Sequence, residues 1–362
     1  MTDFSLYIHV PFCKAKCRYC DFYSLAPDGN DTDLYTVRVV EEMQKWGARI
    51  VRPISTLYLG GGTPTLLGGE GIGRIITAAQ RIFTLRDNAE ITLECNPADD
   101  LRDTLSAAKK AGVNRLSIGV QSGDNRVLSL LGRRHTASDA AKTVALAREL
   151  GFLNISLDLM IGLPESSPAS VAQSIDFVSS LSPEHISVYM LKIEPGTPFG
   201  LNPPVLPDED ETAEQYLFTV DRLESLGYKQ YEISNFCKEG FESRHNTNYW
   251  LGGEYLGVGP AAHSYVDGRR FYYPRDLEAF MRACSIVPDG NGGGRDEYIM
   301  LRLRLCRGID LNEYNSRFGP DEKLIKTAAK LQKAGLVQLG DNTIRLTKQG
   351  FLVSNAVIGE FI

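Results

Sequence analysis

Residues 7–22 read YIHVPFCKAKCRYCDF, and the rest of the chain is arranged around them. Leu6 to Val10 has the apolar character of a strand, Pro11 ends it, and a short loop follows with Cys13, Cys17 and Cys20. Three thiols on one eight-residue loop can converge on a single inorganic centre. Thiolates bind iron–sulfur clusters, zinc and copper. A [4Fe–4S] cube held by three cysteines keeps one iron without a protein ligand, and an open iron is a place for chemistry. A three-thiolate zinc site, or a disulfide pair beside a spare thiol, would use the same residues.

The composition narrows the setting. The chain has 362 residues, enough for a large α/β unit and a smaller module. Its 43% hydrophobic and 23% charged residues are ordinary for a globular protein. A net charge of −6 gives no reason to expect nucleic acid or an anionic membrane surface. MTDFSLYIHV lacks the basic region and long apolar run of a signal peptide. No apolar stretch approaches the ~20 residues needed to span a bilayer. Seven cysteines with three on one loop suit a reducing compartment, so a cytoplasmic location is expected.

Strand and helix patterns alternate along the chain. Strands are expected at residues 55–59, 91–95, 115–121, 154–160 and 185–190, and helices at 31–46, 101–111, 138–150 and 168–180. With the first strand this makes six β/α units, and apolar strands of this kind form a parallel sheet covered by helices. The expected fold is α/β, an incomplete parallel (β/α)6 barrel. In such folds binding chemistry sits at the carboxyl ends of the strands. The cysteine loop follows strand one and Gly60-Gly61-Gly62-Thr63 follows strand two. Glu94 lies near the end of strand three, Gln121 ends strand four and Asp158 lies in the last half of strand five. Five successive junctions thus aim thiols, amides and carboxylates at one mouth.

The spacing C-x3-C-x2-C with Tyr19 before the last cysteine resembles the radical S-adenosylmethionine (SAM) superfamily. The strings YIHVPFC, GGGTPT, LECNP, SIGVQS, GRRH and LDLMIGLP are similar to its coproporphyrinogen-oxidase-like branch. The resemblance implies a cluster on Cys13, Cys17 and Cys20 whose open iron is chelated by the amino and carboxylate groups of SAM. It carries SAM contacts onto Tyr7, Gly61, Gly62, Thr63, Glu94, Gln121, Arg133 and Asp158. With SAM as ligand each has a task. Glycines let the backbone approach the methionyl ammonium, and Arg133 offers a planar fork to the carboxylate. Glu94 and Asp158 suit ribose hydroxyls or an ammonium, and Tyr19 offers a face for adenine.

Two features depart from the oxidase pattern. The oxidase has a further cysteine two residues after the third, where this chain has Phe22. Phe22 packed under the loop would suit either role. The oxidase also has a substantial leader, where six residues precede Tyr7 here. Both differences resemble the HemW type, thought to carry heme to acceptor proteins. The string H-N-x-x-Y-W, His245 to Trp250, resembles a signature of that type. A histidine flanked by Tyr249 and Trp250 offers an axial nitrogen and aromatic walls for a macrocycle, or it hydrogen-bonds within its own loop. His263 is a weaker heme-ligand candidate, and His9 is read as a structural or cofactor-contact residue.

Beyond residue 206 the pattern changes. A helix at 208–226, a strand at 231–236 and a tight glycine loop at 252–264 are expected, with residues 288–294 as a linker. Three helices and a hairpin then resemble a winged helix. Basic residues Lys326, Lys330 and Lys333 have acidic neighbours, and no nucleic-acid partner is expected. The expected units are residues 1–200 (partial barrel), 201–290 (barrel extension with the H-N-x-x-Y-W segment) and 291–362 (winged-helix-like). The resemblance implies a heme chaperone that binds heme and passes it to acceptor proteins, served by an electron donor for its cluster. The alternatives are an oxygen-independent coproporphyrinogen III oxidase and a plain iron–sulfur electron carrier, and the SAM residues argue against the last.

Overall fold

A computed structural model describes residues 4–97 and 100–362. Strands β1 (Phe4–Val10), β2 (Ile54–Gly61), β3 (Leu85–Cys95), β4 (Arg115–Gln121), β5 (Ile155–Ile161) and β6 (His185–Met190) run parallel in sequence order. Helices return the chain between them, as the alternating pattern predicts. The helix Asp31–Gly47 buries Tyr35, Val39, Met43 and Trp46, a stripe with the period of one helical face. Capping boxes at Thr136 and Ser167 start the helices Ala137–Glu149 and Pro168–Ser180.

The register separates two chemistries. Leu6, Ile8, Leu57, Leu59, Leu93, Leu116, Ile118 and Leu157 pack with the surrounding helices in one apolar core. The alternate residues face the barrel interior, where Tyr7, Tyr58, Thr92 and Arg115 stand level on adjacent strands. The interior is therefore polar, and its floor is built from Ser5, Thr56, Glu90, Arg115, Ser156 and His185, all buried.

The barrel does not close. Two short antiparallel strands, β7 (Lys229–Glu232) and β8 (Asn235–Cys237), extend the sheet beyond β6. The single strand expected at 231–236 is thus a hairpin, turning at Ile233-Ser234. On the other side β9 (Tyr255–Val258) lies parallel to β1, followed by β10 (His263–Val266), β11 (Arg269–Tyr272) and β12 (Val287–Asn291). Among the described residues the sheet has twelve strands. Two expectations are corrected here. The glycine loop contains strand β9, where a Cβ on Gly257 would stand 2.2 Å from the His263 carbonyl oxygen. The first part of the 288–294 linker is edge strand β12. Glycine and proline are tolerated there because an edge leaves one side of the backbone unpaired.

Helices Arg295–Arg302, Leu311–Phe318 and Glu322–Lys333 then pack with β13 (Ile309–Asp310), β14 (Val337–Leu339) and β15 (Thr343–Leu346), which form a sheet ordered β13-β15-β14. Lys326 and Lys330 are paired with Glu322 and Glu360. This region is joined to the barrel extension through backbone bonds from Ile233 to Arg304 and from Cys306 to Tyr231, both through N–H to O. Among the described residues no helix is long and apolar enough to cross a membrane.

Candidate metal and cofactor centre

The cysteine loop is held on every side. The Cys13 N–H donates to the Leu25 carbonyl and the Leu25 N–H to that of Pro11, closing the loop on itself at 2.9 and 2.8 Å. The Arg18 N–H donates to the Leu131 carbonyl, and the Phe199 N–H to that of Arg18. Below it, Gly62 and Thr63 donate to the carbonyls of Val10 and Phe12 at 2.8 and 2.7 Å. The glycines make this fit possible. A Cβ on Gly61, whose φ is +110°, would lie 2.7 Å from the His9 ring, and one on Gly62 would lie 2.4 Å from the Phe12 carbonyl oxygen. The space beside both glycines is thus filled by the cysteine segment itself, which is a packing reason for the run beyond ligand approach.

Cys13, Cys17 and Cys20 are free thiols, partly exposed, on one cavity of about 360 Å³. Among the described residues no three His, Cys, Asp or Glu side chains gather tightly enough for a single metal ion. All three thiols line this one cavity, the arrangement a cluster bound by three cysteines requires. Burial raises the Cys20 thiol, helped by Cys17 and Cys13 nearby, so loading the site requires protons to leave. The Thr63 hydroxyl lies 3.4 Å from Cys13 Sγ, and Arg133 Nη1 donates to Cys17 Sγ at 3.5 Å. Such outer contacts hold thiolates in place and tune the iron they bind.

The same cavity collects Tyr19, Gly61, Gly62, Thr63, Glu94, Gln121, Arg133 and Asp158 from the expected set. Glu94 accepts from the Tyr58 hydroxyl at 2.7 Å and from the Gly61 N–H at 3.1 Å. Burial, with repulsion from Asp158, lifts its carboxyl to about 7. Asp158 takes a bond from the Ser117 hydroxyl at 3.3 Å, and burial raises it to about 6. Two carboxyls poised near neutrality in one cavity are placed to meet a cation. Arg133 Nη2 donates to Asn96 Oδ1 at 2.6 Å and to the Gly119 carbonyl at 2.7 Å. Gln121 adopts φ +70°, a left-handed conformation that costs a non-glycine residue energy and turns its amide at the end of β4.

Two expectations, those on Tyr7 and His245, need correction. Tyr7 does not line the cavity; its hydroxyl lies 3.0 Å from His9 Nδ1, one layer below. His9 is buried, with Nε2 3.0 Å from the Tyr23 carbonyl oxygen, and serves the loop from beneath. His245 is closed to an axial role. It is 1% exposed, with Nδ1 2.7 Å from Thr56 Oγ1 and Nε2 2.7 Å from the Tyr249 hydroxyl. Burial and the charge of Arg115 lower it to about 3, so it stays neutral. Glu90 accepts the backbone N–H groups of Arg244 and His245 at 3.1 and 3.0 Å, capping the short helix Arg244–Trp250 from inside the barrel. The H-N-x-x-Y-W helix is therefore a plug in the barrel floor. His263 is exposed and stacks on Tyr272, with ring centroids 5.1 Å apart.

Asn96, Ser117, Met160 and Tyr189 also line the cavity and escape the motif reading. A period-two rule applied from Gln121 and Asp158 would have found Ser117 and Met160, since alternate residues of a strand share a face.

Family models match the Radical SAM superfamily over residues 7–178 and the HemN C-terminal domain over residues 296–353. The heme chaperone HemW of Bacillus subtilis is 35% identical, covering 99% of this chain and 99% of its own. HemW of Escherichia coli is 35% identical over 100% and 99%. A radical S-adenosyl methionine domain-containing protein 1, mitochondrial, of Bos taurus is 33% identical over 98% and 86%. In three dimensions the chain is similar to coproporphyrinogen III oxidase (HemN) from Escherichia coli, with a TM-score of 0.87 and 24% identity over 99% of this chain and 90% of that one. That likeness concerns the fold.

Proposed function

The chain belongs to the HemW family of the radical SAM superfamily, and from that premise we propose that it is a cytoplasmic heme chaperone, carrying a [4Fe–4S] cluster on Cys13, Cys17 and Cys20 and binding SAM in the adjoining cavity. Its partners on this reading are heme, heme-accepting proteins and an electron donor. The observation that carries the choice over the oxidase is Phe22. It is 67% exposed at the rim of the cavity, where the oxidase pattern has a further thiol, and it does not pack under the loop.

When bound, the cluster and SAM supply one-electron chemistry at a sulfonium. The chain's own residues do the positioning. Arg133 and Thr63 steady the thiolates, and Glu94 and Asp158 place negative charge for a cationic ligand. Tyr19 forms part of the wall, on the same loop as the thiols it accompanies.

Binding of hemin without turnover is the expected outcome for reconstituted protein. One hemin per chain should bind, and coproporphyrinogen III should remain unconverted with reductant and SAM present. Steady decarboxylation in that anaerobic assay would reverse the assignment.

Affinity for SAM should also depend on pH in a set direction. A cation binds the ionised forms of Glu94 and Asp158, so binding releases protons and tightens as pH rises through about 6–7. Replacing either by alanine should cost about 1.5–3 kcal/mol, roughly a ten- to hundredfold loss or slightly more, with the cluster kept. Titration calorimetry reads both effects, and a pH-independent affinity in wild type would place the ligand elsewhere.

A further inference from the structure

Asn96, which directly follows β3, lines the cavity of the three thiols and links two of them. Arg133 Nη2 donates to Asn96 Oδ1 at 2.6 Å, and Asn96 Nδ2 donates to Thr63 Oγ1 at 2.8 Å. Thr63 Oγ1 in turn lies 3.4 Å from Cys13 Sγ. From its other terminal nitrogen, Arg133 donates to Cys17 Sγ at 3.5 Å. One guanidinium therefore reaches Cys17 directly and Cys13 through two neutral side chains. Cys17, Thr63, Asn96 and Arg133 also line a recess of about 40 Å³ beside the mouth, with room for a few waters at most. The four residues form a thin polar wall between the two spaces.

Chemistry fixes the direction of every proton in this row. A guanidinium only donates, so the Asn96 atom facing it is the carbonyl oxygen. The amide nitrogen then faces Thr63 and donates to the hydroxyl oxygen. Among the described residues the Thr63 side chain meets only Asn96 and Cys13, so its one hydrogen is left for Cys13 Sγ. A cluster-bound cysteine is a thiolate, which accepts and cannot donate, so loading keeps this direction. Donors in a row also polarise one another. The backbone holds the row in place. The Thr63 N–H donates to the Phe12 carbonyl at 2.7 Å, beside Cys13. Arg133 Nη2 also donates to the Gly119 carbonyl at 2.7 Å, and a Cβ on Gly119 would stand 3.1 Å from that nitrogen.

We propose that Asn96 is a positioning residue for the cluster: it sets the Thr63 proton on the Cys13 thiolate and so raises the reduction potential, an inference that rests on the three-cysteine cluster reading above. Hydrogen bonds to the sulfurs are one of the levers on that potential, because they favour the reduced cluster with its extra negative charge. Asn96 acts through Thr63 and does not touch sulfur itself.

The midpoint potential of the reconstituted full chain, measured without SAM, tests this in a double-mutant cycle. Asn96→Asp keeps an acceptor for Arg133 but has no amide donor, so the Thr63 hydrogen turns to the new carboxylate. Asn96→Asp and Thr63→Val should each lower the potential. The expected loss is roughly tenfold in the reduced-to-oxidised ratio at a fixed applied potential, ~59 mV for one electron. Adding Thr63→Val to Asn96→Asp should lower it no further, because the proton has already left the sulfur. Thr63→Ser should match the wild type, and iron and sulfide content should stay whole throughout. A wild-type potential in Asn96→Asp would overturn the proposal, as would two shifts that add, the mark of a charge acting through space. So would a cluster that assembles in Thr63→Ser but in neither Asn96→Asp nor Asn96→Ala, which would make Asn96 a structural prop. Wild-type protein that takes up no cluster would instead overturn the cluster reading itself.

Discussion

Cys13→Ala, Cys17→Ala and Cys20→Ala should each leave the reconstituted protein without its [4Fe–4S] centre, read as iron and sulfide content and as the loss of the cluster's visible absorption. The three thiols border one cavity on a loop pinned at Leu25, Leu131 and Phe199, which fixes each at its own corner. Cys95, the last residue of β3, borders the cavity but belongs to the apolar core, and burial pushes its thiol up to about 12. Cys237, Cys284 and Cys306 are likewise raised to about 12 by burial and lie off the cavity. Alanine at any of these four should leave the iron count unchanged. A Cys17→Ala protein with near-normal iron would refute the three-ligand assignment.

The largest effect on stability is expected at Arg115. Its guanidinium is 2% exposed in the barrel floor, held charged against the cost of burial chiefly by Glu90, with further attraction to Tyr58, Tyr231 and Asp158. Glu90 in turn caps the helix Arg244–Trp250. Arg115→Ala removes the cation and leaves a buried carboxylate without its counter-charge, a change that costs about 3–5 kcal/mol. Both buried histidines nearby, His185 and His245, are held neutral chiefly by burial, which persists without the arginine, so they do not replace its charge at neutral pH. Denaturant unfolding of the cluster-free protein should show the loss, and Arg115→Lys should recover part of it. A midpoint for Arg115→Ala within error of wild type would mean that water or a rearranged neighbour already satisfies Glu90.

Local sequence was sufficient for the parallel strands, because alternation with period two and the polar residue at each strand end are properties of a few consecutive residues. The strand boundaries at Arg115–Gln121 and His185–Met190 follow directly from it. The cysteine loop was legible for the same reason, since its three thiols are placed by spacing along one turn. Glu94, Gln121 and Asp158 could be read as converging because a parallel sheet delivers all its carboxyl ends to one side. Tertiary structure decided what spacing cannot express. His245 and Thr56 are 189 residues apart, and only their contact turns a candidate ligand into a satisfied core histidine. Tyr7 lies one layer below the cavity, level with Tyr58, and its hydroxyl meets His9 there. The row of Arg133, Asn96 and Thr63 joins segments 37 and 33 residues apart, with no common local pattern. Periodicity tells which face of an element a residue occupies, but burial depends on what the rest of the chain packs against that face.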